Sequence, residues 1–195
     1  LMSELTHWVI SNVVQQERQW QKNDLEICVS ANISANDITS LTLPEQLVQL
    51  LSDNELDPTR LTLEVTESAL MGELVTSLDI LTRLRLKGTG LSIDDFGTGY
   101  SSLSQLHRVP FTELKIDQSF VFNITEDPEA RAIVKTCIML GHELNMLVVA
   151  EGVEDQETWD ILTQLGCDIA QGYFIARPMP ADKLLIWAKA RDKNS

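Results

Sequence analysis

The apolar positions of this chain change their period several times. Across Leu61–Thr66, Leu61, Leu63 and Val65 alternate with polar residues, the two-residue period of a strand. Across Pro44–Leu56, Leu47, Val48, Leu50 and Leu51 fall on one helical face. Short apolar runs predict further strands at Leu25–Ala31, Leu91–Ile93, Leu114–Ile116, Leu147–Ala150 and Ile169–Ala170. Longer periodic stretches predict helices at Leu74–Leu86, Glu129–Leu144, Gln156–Leu165 and Ala181–Ala190. Asp127-Pro128 supplies a helix start and Gly166 a helix stop. Strand and helix thus alternate about six times, which predicts an α/β fold with a parallel sheet and right-handed crossovers. An open doubly wound sheet and a closed barrel both fit. No GxGxxG or GxxxxGK[ST] follows the first strand, so a glycine-rich phosphate loop is not indicated.

Composition narrows the function classes. The 195 residues suffice for one domain, 1–195, with 44% apolar and 23% charged positions. The net charge is −14, without a cluster of Lys and Arg, which argues against a nucleic-acid polymer as partner. No apolar run reaches the roughly 18 residues of a membrane span, and no signal-peptide pattern is seen. A cytoplasmic domain without membrane contact is expected. Cys28, Cys137 and Cys167 match no zinc spacing and read as buried free thiols. His7, His107 and His142 stand far apart and form no HExxH. The first residue is Leu1, which suggests a domain cut from a longer protein.

The acids cluster at strand ends. Glu64 and Glu67 accompany the Leu61–Thr66 strand; Asp94 and Asp95 follow Ile93; Asp117 follows Ile116; Glu151 follows Ala150, with Glu154 beyond it. Asn32 and Gln171 sit at two more strand ends. Loops after parallel strands form the active face of such folds, so six strand ends deliver oxygen ligands to one rim. Two carboxylates about 5 Å apart repel by roughly 3 kcal/mol at an effective dielectric near 20. A rim of four is costly without protons or a cation. Hard oxygen donors favour Mg²⁺, Mn²⁺ or Ca²⁺, and two such ions can clamp a phosphate. If Lys115 points into this rim, it can orient an attacking water or stabilise developing charge. Residues 96–103, FGTGYSSL, place two glycines around Thr98, so the loop can fold close over a ligand or a metal.

These blocks resemble the EAL-type phosphodiesterases of bacterial cyclic-di-GMP signalling. The resemblance rests on SANIS at 30–34, LEVTES at 63–68, IDDFGTGYSSL at 93–103, LKID at 114–117 with Ser119-Phe120, VAEGVE at 149–154 and QGYFIARPM at 171–179. It implies a modified TIM-like (β/α) barrel with one antiparallel strand. It also implies two Mg²⁺ or Mn²⁺ ions, inhibition by Ca²⁺, and hydrolysis of cyclic-di-GMP to linear pGpG. Asn32, Glu64, Asp94, Asp95 and Glu151 match metal ligands. Lys115 matches the lysine that positions or activates the water, and Gln171 a residue that helps hold it. Glu67 matches the glutamate that fixes the loop after Asp95. That loop is a dimerisation element in the family and implies a homodimer. Asp117, Glu154, Phe174, Arg177 and Pro178 fall on the substrate side.

The family's Glu-Ala-Leu motif and the arginine after it are absent from the sequence. Leu5, Trp8 and Val9 resemble the helix that follows that motif. A complete barrel of this type has about 250 residues. The expectation is therefore a chain short of two strands at its front, with upstream sensor, receiver or cyclase domains as partners in a longer protein. A receptor that binds cyclic-di-GMP without cutting it is the alternative, although such members usually lose acids like Asp94 or Glu151.

Overall fold

The computed structural model describes residues 4–71, 74–98 and 103–192. The described residues form six strands: β1 (Val29–Asn32), β2 (Leu61–Thr66), β3 (Gly90–Phe96), β4 (Glu113–Ile116), β5 (Leu147–Glu151) and β6 (Ile169–Gln171). They lie side by side in chain order, and every pairing is parallel. Among the described residues, eight α-helices accompany them: α1 (Glu4–Gln21), α2 (Leu43–Asp53), α3 (Leu74–Leu86), α4 (Leu103–Arg108), α5 (Gln118–Val121), α6 (Pro128–Glu143), α7 (Gln156–Leu165) and α8 (Ala181–Asp192). The sheet curls into half of a TIM-like barrel, the choice that the EAL resemblance implies where strand–helix alternation alone fits an open sheet as well. The antiparallel strand implied by the resemblance is not among the described strands.

The two faces of the sheet differ in chemistry. Leu61, Leu63, Val65, Leu91, Ile93, Leu114, Ile116, Val148 and Ala150 are buried against the helices. They meet Ile10 and Val14 of α1, Leu47 and Leu51 of α2, Ile80 and Leu84 of α3, and Val134 and Ile138 of α6 in one core. The residues between them point to the concave side: Glu64, Ser92, Asp94, Glu113, Lys115 and Glu151. A strand alternates its faces every residue, so packing the apolar set under the helices forces the polar set inward.

Several boundaries differ from the sequence pattern. The first strand is Val29–Asn32 rather than Leu25–Ala31, because a turn at 22–24 holds Leu25 through its N–H to the Trp20 carbonyl at 3.0 Å. β3 runs on past Ile93 to Phe96, so both aspartates belong to the strand. The three cysteines are free, but only Cys137 is buried; Cys167 is half-buried and Cys28 exposed. Cys28 lies just ahead of the edge strand β1, with no neighbouring strand beyond it among the described residues. Gly166 closes α7 in the left-handed conformation, φ 78°, as the helix-stop reading expects.

A polar clasp ties the other ends of β5 and β6. Asp168 accepts from the Val148 N–H at 2.8 Å and lies 2.9 Å from His142 Nε2. Twenty-six residues separate the His–Asp pair, which is why spacing along the chain did not expose it. Burial alone would raise the Asp168 carboxyl, but the Val148 N–H and the histidine outweigh it and hold it below its ordinary value of 3.8. A carboxyl depressed in the folded state contributes stability that is present above its unfolded value and lost as pH falls through the folded one. Asp168→Ala should therefore cost about 1–2 kcal/mol at neutral pH. The deficit should shrink below about pH 4. Thermal denaturation of both proteins across that range checks this; a deficit independent of pH would contradict it.

Candidate active site

Lys115 sits at the centre of the concave rim. Only 4% of it is exposed. Its ammonium lies 2.6 Å from Glu151 Oε1, 3.1 Å from Asp94 Oδ1 and 3.4 Å from Glu64 Oε1. Asn32 donates to the second Glu64 oxygen at 3.2 Å. Strand register explains the assembly: Asn32 is paired with Glu64, Thr66 with Asp94, and Glu151 with Gln171. Lys115 points into the rim, as the sequence reading required for a chemical role.

Burial alone would lower the Lys115 ammonium. The hydrogen bond to Glu151 and the charges of Glu64, Glu151 and Asp94 outweigh it and hold lysine well above its ordinary range. In this metal-free rim the charged form of Lys115 is therefore favoured. Glu151 is pushed up by burial, against the pull of Lys115. Asp95 is pushed up by burial and by the charges of Asp94 and Asp117. A single ammonium leaves the cluster short of positive charge.

Asp94 and Asp95 are neighbours in a strand, where side chains alternate faces. Two irregularities bring both to the rim. The pairing of β3 with β4 shifts register between Ile93 and Phe96. Asp95 also adopts a left-handed backbone, φ 56°. A bulge of this kind re-aims a side chain, and aspartate tolerates the left-handed region better than most residues. As a result Asp94, Asp95 and Glu151 present oxygen atoms all within 4.8 Å of one another. Three converging carboxylates without sulfur or imidazole suit a hard divalent cation, so the donor set fits Mg²⁺ or Mn²⁺.

The surrounding loops support this rim. Glu67 is 4% exposed and accepts from the Gly97 N–H at 3.2 Å, which anchors the start of the loop after Asp95. Residues 99–102 of that loop lie outside the described residues. Asp117 caps α5, accepting from the Ser119 N–H at 2.9 Å and from the Ser119 hydroxyl. The loops after β5 and β6 are stitched together: Val153 N–H donates to the Gln171 carbonyl and Phe174 N–H to the Val153 carbonyl, each at 3.0 Å. A side chain at Gly172 would start 2.1 Å from the Val153 carbonyl oxygen, so only glycine allows this approach.

A cavity of about 440 Å³ opens beside the acids, lined by Asp95, Asp117, Gln118, Phe122, Glu151, Gly152, Glu154, Gln171, Gly172 and Tyr173. A neighbouring space of about 320 Å³ includes Gln171, Tyr173, Arg177 and Pro178. Arg177 lies over the Tyr173 ring at 4.4 Å. Phe174 instead packs at a tilt against Trp159, ring centroids 6.0 Å apart. Tyr173, Gln118 and Phe122 line the main cavity, and the sequence reading did not single them out. It also passed over Glu113, two residues before Lys115 on the same face, whose carboxyl burial pushes up. Tyr173 and Gln118 lie inside or beside the matched blocks; nothing local distinguished Phe122.

Comparison with known proteins resolves what this rim belongs to. The chain matches the EAL domain over residues 1–178. It is a member of the EAL domain family. The bifunctional diguanylate cyclase/cyclic di-GMP phosphodiesterase MucR of Pseudomonas aeruginosa is 41% identical over 186 residues, covering 95% of this chain and 27% of that protein. The c-di-GMP complex of the MucR phosphodiesterase superposes with a TM-score of 0.86, covering 93% of this chain and 74% of that one. The manganese and cyclic-di-GMP complex of Klebsiella pneumoniae BlrP1 does so at 0.79 with 30% identity, over 86% of this chain and 43% of that one. The chain spans about a quarter to a third of the length of the first curated relatives it matches. No described helix of this EAL chain is long and apolar enough to cross a membrane.

Removing the central cation tests the electrostatic account. Lys115→Met should destabilise the metal-free protein by about 3–5 kcal/mol, because buried carboxylates lose their partner. Mg²⁺ or Mn²⁺ should then raise the melting temperature of the variant more than that of the parent. Equal shifts in the two proteins would argue against a cation site at these carboxylates.

Proposed function

We propose that this chain is the catalytic part of a metal-dependent phosphodiesterase that hydrolyses cyclic-di-GMP to linear pGpG. The observation that carries the reading is the convergence of Asp94, Asp95 and Glu151 beside the buried Lys115 ammonium, at the edge of a cavity large enough for part of a dinucleotide. The MucR and BlrP1 complexes with the same dinucleotide support it. Asn32, Glu64, Asp94, Asp95 and Glu151 would hold two divalent ions, Mg²⁺ or Mn²⁺. These ions supply charge neutralisation at the phosphate and activation of the attacking water.

The chain's own residues do the rest. Lys115 would set its ammonium beside the attacking water and the phosphate oxygens and stabilise charge as it develops. Gln171, paired with Glu151 in register and lining the same cavity, would help hold the attacking water. Water adds to phosphorus and the bond to the 3′ oxygen breaks. That oxygen takes up a proton, and the phosphate stays on the 5′ oxygen of pGpG. Asp117 and Glu154 border the sugar–phosphate path, while Arg177 and Pro178 edge the neighbouring space and Phe174 buttresses that loop through Trp159. Glu67 keeps the loop after Asp95 in place, and that loop is the proposed homodimer contact. Sensor, receiver or cyclase domains in the same polypeptide would be the regulatory partners, in a cytoplasmic protein.

Glu151→Gln keeps the side-chain shape but removes one charge from the rim. In the protein that carries this chain it should abolish turnover of cyclic-di-GMP, by at least about a hundredfold, with the fold intact. Calcium in place of Mg²⁺ should inhibit the parent protein, since a larger ion with looser geometry orients the water less well. Release of pGpG followed by chromatography, with circular dichroism as the fold control, checks both. Undiminished hydrolysis by the variant would sink the assignment.

A further inference from the structure

We propose that Phe122 is a base-stacking residue of the main cavity and helps select a substrate that carries a planar nucleobase beside its phosphodiester. The inference rests on the phosphodiesterase reading above and deepens it. The local chain shows that the ring is not a core residue. Val121 just before it and Ile124 two residues after it are wholly buried, and Phe120 packs on the core. Phe122 follows α5 and remains 48% exposed. Its exposed surface opens into the cavity that Asp95, Asp117, Glu151 and Glu154 line.

The backbone opposite makes room for it. Gly152 has φ 74°, and a side chain there would start 2.9 Å from Phe122 Cε1 and 3.2 Å from Cζ. The ring therefore lies against a residue that has no side chain of its own, directly after Glu151. An apolar ring is thereby set next to a proposed metal ligand. Among the described residues, no other ring or cation stacks on Phe122. Tyr173, by contrast, has Arg177 on its ring. Carboxylates and bound cations can grip the phosphate, but they give a purine face no apolar contact. Phe122 supplies that contact, and the amide of Gln118 on the same cavity wall can bond a base edge. Stacking of this kind strengthens binding and leaves the phosphorus chemistry untouched.

The test uses the full protein that contains this chain, with Phe122→Ala, Phe122→Leu and Phe122→Tyr. Binding of cyclic-di-GMP is measured calorimetrically with Ca²⁺, and KM and kcat are measured with Mg²⁺. Loss of one base–aromatic stack should raise Kd and KM by about 5- to 100-fold in the Ala and Leu variants. kcat should stay within about threefold of the parent, and the Tyr variant should bind like the parent. Leucine fills space as phenylalanine does but offers no ring face. Leucine binding as tightly as phenylalanine, or a fall in kcat at constant KM, would overturn the stacking role alone. If the parent binds cyclic-di-GMP without cutting it, the hydrolysis reading fails while the Kd series still decides the role of Phe122. Failure of the parent to bind the dinucleotide would overturn both.

Discussion

Like charges held together against their repulsion shape the concave rim of this half-barrel. Glu64, Asp94 and Glu151 each approach the Lys115 ammonium within 3.4 Å or less. Asp95 adds a further carboxylate with little compensation. The apolar strand residues beneath them cannot relieve this repulsion by moving, because they are packed against the helices. The packed core holds this unfavourable rim in place, and the converging carboxylates form a donor set that fits a divalent cation. The elevated ammonium of Lys115 has a chemical consequence too. Its proton is stabilised by the same acids that are proposed to hold the metal.

Position within the rim depends on two breaks in regular structure. A regular strand would send Asp94 and Asp95 to opposite faces. The register shift in β3 and the left-handed Asp95 return both to one side. Strain of this sort persists when the surrounding structure over-determines it. Here the surroundings include the pairings of β3 on both edges and the hold of Glu67 on Gly97, one residue beyond Phe96. The loops after β5 and β6 are fixed in the same spirit. Gly172 lets one loop touch the backbone of the other, and Gly152 leaves space for Phe122. A rigid floor of strands thus carries a cavity whose walls are loops, an arrangement in which the walls can change without disturbing the acids of the floor.

Much of this was legible in the sequence, for one physical reason. Periodicity is local, and residues such as Leu61, Leu63 and Val65 declare a strand by their own spacing. The six strands, their parallel order, the oxygen-rich strand ends and the resemblance to the EAL family all follow from patterns along the chain. The convergence of acids at one end of a parallel sheet follows from topology, since every strand presents its C-terminal end to the same face. Other features depend on contacts between segments distant in sequence. The His142–Asp168 clasp, the exposure of Cys28 and the start of β1 at Val29 have no local signature.

The sequence by itself marked a rim of oxygen donors at the strand ends, and the resemblance to the EAL family singled out Asn32, Glu64, Asp94, Asp95 and Glu151 among them as the expected cation ligands. It could not determine how adjacent aspartates share one face or what charge Lys115 carries. It also gave Phe122 no more weight than any other aromatic. Those matters were decided by the tertiary structure, because they depend on register, backbone handedness and burial. The carboxylates at the rim are written in the chain; their convergence within 4.8 Å, with a lysine kept protonated among them, exists only once the strands are side by side.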